Sequence, residues 1–149
     1  MQMLKILIPV DGSDNAMLAV QHALVLTAKG LRARFVVANV QSPANLYELV
    51  VAHDPQVLQQ VSEAAGRDLM RPAVELLQAA GLQVEQDVAT GDPAQTLIEL
   101  VERHACDALI LCAHGSSGDR TQLGAVAHEL VQIAPVPVTV VRPRERDTD

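Results

Sequence analysis

Five short runs of strand-forming residues alternate with segments of helical spacing along this chain, and that alternation dictates the class of fold. Leu4–Val10, Arg34–Val40, Leu82–Ala89, Ala108–Leu111 and Val136–Val141 read as strands. Helical spacing begins near Ala16, after Asp54-Pro55, after Asp92-Pro93 and around Val126. Strands separated by helices pair in parallel, so the pattern predicts an α/β protein: a three-layer, doubly wound sheet of five parallel strands. The first and fourth runs are almost wholly apolar, as strands buried on both faces must be. Leu82, Val84 and Val88 alternate with polar neighbours, as nearer an edge. The first and fourth strands are therefore expected side by side, where the strand order reverses and ligands bind in the crevice.

Local signals set the element ends. Asp11-Gly12-Ser13-Asp14 supplies turn and cap residues ahead of a helix whose apolar positions include Val20, Leu24 and Ala28, with Gly30 just beyond. Pro9 lies near the end of the first strand, where a missing N–H costs least. The long second helix is expected to turn Val57, Val61, Ala65, Leu69, Ala73, Val74, Leu77 and Ala80 inward, and Pro72 to kink or break it. Asn45–His53 reads as a short helix or a lid. Val126, Leu130 and Val131 mark the last helix. A domain of residues 1–142 is expected, followed by a charged tail, 143–149.

Hydrophobic residues make up 49% of the 149 and aromatics 1%, so the core has to be aliphatic. A formal charge of −7 argues against nucleic acid or an anionic membrane as partner. Met1–Val10 fits neither a signal peptide nor a membrane span, so the expected location is cytoplasmic. Cys106 and Cys112 bound one strand; six residues at ~3.3 Å each hold them about 20 Å apart, beyond disulfide reach.

The stretch Leu109–Ala127 carries the chemistry. An apolar run stops at His114-Gly115 and a helix opens at Gly124, which makes a strand, a glycine loop and a helix N-terminus, a recurrent way to hold an anion. Asp11 should face this loop across the crevice. For each residue two readings stand: Asp11 contacts ligand or caps a helix; His114 touches phosphate or bonds local backbone; Gly115 and Gly124 admit a ligand or turn the chain. Asp11, Ser13 and His114 lack the Gly-x-Ser-x-Gly elbow of a serine hydrolase. Asp11, His114 and His128 match no recognised metal spacing. Cys112 is either a redox-sensitive thiol or a small buried hydrophobe.

Along nearly its whole length the chain resembles the universal stress protein family. The resemblance rests on Ile-Leu-Ile-Pro-Val-Asp-Gly-Ser near the N-terminus, Asn39-Val40 ending the second strand, Gly91-Asp92-Pro93, and Pro135-Val136-Pro137-Val138. It implies an adenine nucleotide alpha hydrolase-like fold with strand order 3-2-1-4-5 and a role in stress response as a regulatory or interaction module. It further implies ATP, ADP or AMP as ligand, with magnesium accompanying ATP. Pro9, Val10, Asp11 and Val40 match positions at the adenosine end; Cys112, His114, Gly115, Gly124, Ala125 and Val126 match the phosphate end. Any enzyme activity would be at most slow ATP hydrolysis.

Members that bind ATP carry Gly-x2-Gly-x9-Gly-(Ser/Thr); here the run is Cys112-x2-Gly115-x8-Gly124-Ala125. Losing the hydroxyl at Ala125 removes a bond to a charged group of ~1.5–3 kcal/mol, or one to two decades in affinity. A left-handed Cys112 would cost on the order of 1–2 kcal/mol more. Arg120 is a candidate source of compensating charge, and a diphosphate, monophosphate or free anion remains open beside a protein that works without nucleotide. The final strand, Val136–Val141, is expected at a sheet edge guarded only by Pro137, where it would pair with a second copy to form a homodimer. The resemblance implies the same dimer.

Overall fold

The computed structural model describes residues 3–42, 55–114 and 123–143. The expectations for Asn45–His53, Gly115, Arg120 and residues 144–149 lie outside the described residues. The elements run β1 (Leu4–Pro9), α1 (Asp14–Ala28), β2 (Ala33–Gln41), α2 (Pro55–Ala79), β3 (Val84–Thr90), α3 (Pro93–Arg103), β4 (Ala108–Cys112), α4 (Ala125–Ile133) and β5 (Val138–Val141). The strands form one parallel sheet in the order β3-β2-β1-β4-β5. This is the expected doubly wound fold, with β1 and β4 adjacent at the reversal and β3 and β5 at the edges.

Strand alternation divides the core in two. Ile6, Ile8, Phe35 and Val37 pack on one face against Val20 of α1 and Met70 and Leu77 of α2. Leu7, Val36, Leu109 and Leu111 pack on the other against Leu97 and Leu100 of α3 and Leu130 of α4. The caps are those that the turn residues promised: Ser13 Oγ accepts the Ala16 N–H at 3.2 Å, and Asp92 accepts the Gln95 N–H at 3.2 Å. The far end of α3 is tied to β3 by charge. The two ring nitrogens of His104 lie 3.2 Å from Glu85 and 2.7 Å from Asp87, and Lys5 lies 3.3 Å from Glu85. Burial raises the Glu85 carboxyl, but the hydrogen bond and charge of Lys5, joined by His104, outweigh it and hold the group below its ordinary value.

Helix α2 bears on two expectations. It runs unbroken through Pro72, which lies on the exposed face, where the carbonyl that loses its partner can be hydrated. In its first half the inward line is Leu58, Ser62, Gly66 and Met70, whereas Val57, Val61, Ala65 and Leu69 are exposed; the expected face holds at Ala73, Val74 and Leu77, and Ala80, just past the helix end, is exposed. Ser62 and Gly66 are inward because each meets the sheet closely. The Ser62 hydroxyl donates to Gln41 Oε1 at 2.5 Å, and Gln41 Nε2 donates back to the Ser62 carbonyl at 3.0 Å. A Cβ on Gly66 would come within 2.6 Å of Val88 Cγ1 and 3.0 Å of Asn39 Oδ1. Similarly, Val126 and Val131 of α4 are exposed, and Ala127 and Leu130 form its buried side.

Gly66→Ala should therefore destabilise the protein although alanine favours the helix by ~1 kcal/mol, because overpacking against Val88 costs ~1–3 kcal/mol. A lowered urea midpoint at unchanged slope checks this; a raised midpoint would show that α2 can move away.

Candidate functional site

The site follows from where the ladders of β1 stop. Leu4 N–H donates to Arg32 O at 3.0 Å and Val10 N–H to Ala38 O at 2.8 Å, so even-numbered residues of β1 bond towards β2 and odd-numbered ones face β4. Pro9 is odd, and its missing N–H is on the β4 side. Pairing of β1 with β4 ends at Leu7↔Leu109, whereas pairing with β2 continues to Pro9↔Ala38. Beyond Leu7 the two central strands part, and a cavity of about 430 Å³ opens at their carboxyl ends.

Nine of the ten residues singled out from the sequence line this cavity: Pro9, Val10, Asp11, Val40, Cys112, His114, Gly124, Ala125 and Val126. The tenth, Gly115, is outside the described residues. The other lining residues, Ala16, Ala38, Pro93, Leu97, Leu111, Ala127 and Leu130, were not singled out. Their signal was present in part, since Ala38 shares the strand face of Val40, and Pro93 opens the helix that follows a recognised cap. The lining is apolar except for Asp11, Cys112 and His114.

Each wall has a distinct chemistry. Asp11 is exposed at the rim, where its Oδ1 accepts from the Ser13 N–H at 2.9 Å and the Ser13 hydroxyl at 2.5 Å. It thus supports Ser13, the residue that caps α1, and its carboxylate lies on the cavity lining. Gly12, at φ +87° beneath the Leu69 side chain, makes the turn that brings Asp11 round. His114 is buried at 7% exposure. Cys112 is the last residue of β4, paired with Val141. Among the described residues the one non-glycine at positive φ is Ala105, so the strain considered for Cys112 is absent.

Opposite Asp11, Gly124 is the N-cap of α4 at φ −61° and ψ 161° and brings no side-chain cap; its N–H donates to Ala113 O at 2.7 Å. Any residue can adopt that conformation, so no backbone strain calls for glycine there. The amides of the first turn of α4 are left without a side-chain cap at the cavity wall, a place suited to an anion.

The floor at Val40 is made by backbone. Phe35 N–H donates to Gln83 O at 2.9 Å and Gly91 N–H to Gln41 O at 3.0 Å, so odd residues of β2 bond towards β3 and even ones towards β1. Val40 is even and lies two residues past the last pairing with β1. Its peptide N–H and C=O are turned towards a strand that has already ended. Among the described residues no hydrogen bond joins the Val40 N–H to the Val10 carbonyl, which accepts instead from Asn39 Nδ2 at 2.9 Å.

The universal stress protein family model matches residues 3–142. The chain belongs to the universal stress protein family. Universal stress protein MJ0531 of Methanocaldococcus jannaschii is 25% identical over 144 residues, 96% of this chain and 84% of that protein. The solved structure of hypothetical protein MJ0577 matches with a TM-score of 0.78 at 22% identity, over 97% of this chain and 99% of that one. A universal stress protein family protein of Arabidopsis thaliana, solved with AMP bound, matches with a TM-score of 0.69 at 20% identity, over 98% of this chain and 95% of that one. These structural likenesses concern the fold. Among the described residues no helix of this universal stress protein is long and apolar enough to cross a membrane.

The two cysteines of this universal stress protein form no disulfide and differ in access. Cys106 is buried, and burial, with the nearby Asp107 and Glu85 charges added and Lys5 opposing, pushes its thiol up to about 11. Cys112 lies on the cavity wall. Iodoacetamide at pH 8 should alkylate Cys112 in the folded protein and both cysteines in urea, as read by peptide mass spectrometry. Labelling of Cys106 first would contradict the packing around β4.

Proposed function

We propose that this universal stress protein is a regulatory module of the stress response that binds an adenine nucleotide in the crevice, AMP or ADP in preference to ATP, and acts as a homodimer. The observation that carries the reading is the Val40 peptide. A donor and an acceptor side by side on an apolar floor complement the edge of adenine, whose N1 accepts and whose N6 amino group donates. Val10, Ala38 and Leu97 offer apolar surface to the base, and the Asp11 carboxylate offers an acceptor to ribose hydroxyls. The first-turn amides of α4 offer donors to phosphate. Ala125 lacks the hydroxyl of ATP-binding members, so each added phosphate gains less here than there. The AMP-bound Arabidopsis relative supports a monophosphate.

Calorimetric titration with ATP, ADP and AMP, with and without magnesium, tests this. AMP should bind saturably, and Asp11→Ala should weaken it roughly 10- to 100-fold, the worth of a hydrogen bond to a charged group. No heat from any nucleotide up to millimolar concentration would favour a module that works without one, the alternative that Ala125 raises.

The dimer reading rests on β5. It pairs with β4 on one side, and its other side is a sheet edge. Val131 and Ile133 of the preceding helix are 50% and 42% exposed. An unpaired edge beside apolar side chains favours strand addition by a second copy. Sedimentation should give a dimer for the parent and a monomer for Val131→Asp, which an exposed site allows to fold. An unchanged dimer would remove this edge from consideration.

A further inference from the structure

We infer that Asn39 is a positioning residue for base recognition: by holding the Val10 carbonyl it keeps the Val40 peptide N–H available to the ligand. The inference rests on the proposal that the crevice takes adenine, and it deepens that proposal.

In a parallel ladder the bond after Val10 N–H to Ala38 O is Val40 N–H to Val10 O. Pro9 does not prevent it, because Pro9 lacks its N–H on the opposite side. Asn39 intervenes. Its Nδ2 donates to the Val10 carbonyl at 2.9 Å from the face of β2 that packs on α2, and the ladder stops one bond short. The Val40 N–H and C=O then stand together at the cavity floor as a matched pair.

Asn39 is poorly explained as filler. It is 3% exposed, and among the described residues its Oδ1 has no hydrogen-bond partner. A buried acceptor left unsatisfied is unfavourable, and an apolar side chain of similar size would fill the same space without that cost. The orientation of the amide is nevertheless unambiguous, because turning it over would set Oδ1 against the Val10 carbonyl oxygen. Oδ1 must face α2, and Gly66 gives it space, since a Cβ there would lie 3.0 Å away. One turn earlier, Ser62 and Gln41 bind each other. The end of β2 is thus secured to α2 and withheld from β1.

Asn39→Leu tests the role in two independent ways. In the ligand-free protein, amide hydrogen exchange by NMR should find Val40 poorly protected beside Val36 and Ala38. In Asn39→Leu the Val40 N–H should close onto Val10 and become about tenfold or more better protected. In ligand binding, the parent should prefer AMP to inosine monophosphate, whose six-membered ring presents N1–H and O6, the reverse pattern. The variant should lose about tenfold of that preference, the effect of removing one recognition hydrogen bond. A purely structural role would weaken both nucleotides alike and leave Val40 exchange unchanged, and that pair of results would overturn the inference. If the parent binds neither nucleotide, the functional reading fails while the exchange measurement still decides whether Asn39 holds the ladder open. Should Asn39→Leu not fold, Asn39→Ser, too short to reach Val10, carries both measurements with the same outcomes.

Discussion

The missing N–H of Pro9 is the constraint on which the site depends. A proline is tolerated at the end of a central strand only where no partner needs its donor. In β1 the donor that is absent faces β4, so the two strands lose their ladder after Leu7↔Leu109. On the β2 side the chain continues to pair as far as Ala38. The asymmetry turns a generic feature of doubly wound sheets, a split at the reversal of strand order, into a cavity with one wall of strand ends and another of helix starts. Val10 and Asp11 are carried over the top of it by the turn at Gly12.

The two ends of α3 show how the remaining elements serve the same opening. Pro93 and Leu97, at its start, line the cavity. Its other end is held by His104 between the Glu85 and Asp87 carboxylates, with Lys5 and Arg103 beside them. The two carboxylates lie on an edge strand, where charged side chains also discourage pairing with another chain. The opposite edge, β5, has no such protection: its short run Val-Thr-Val-Val carries no charge. The two edges of one sheet therefore differ in chemistry as well as in position.

The architecture was legible because it depends on periodicity and punctuation, which single residues carry. Alternating strands and helices, Ser13 and Asp92 as caps, and the strongly apolar β1 and β4 led to the strand adjacency without reference to any contact. Helix α2 was harder to read because its inward line contains a serine and a glycine. Apolar spacing therefore selected Val57, Val61 and Leu69, one position away from Leu58, Ser62 and Met70. Ser62 is inward for a hydrogen bond to Gln41 and Gly66 for close approach to Val88, and neither purpose appears in hydrophobicity. Pro72 leaves the helix unbroken because it lies on the side that meets water.

The candidate site divides along a similar line. The end proposed for phosphate is written in side chains and glycine spacing, so departures at Cys112 and Ala125 were visible at once. Cys112 proved to be an ordinary strand residue, which leaves Ala125 as the more consequential change. The end proposed for the base is written in backbone. Val40 contributes a peptide whose direction depends on strand parity and on where β1 stops, and almost any residue at position 40 would present the same groups. What is specific lies one residue earlier and on the far face of the sheet, in an amide that reaches Val10 and a glycine that makes room for it. A backbone surface of this kind can persist while its visible motif changes, because the residues that maintain it are not the residues that would touch a ligand.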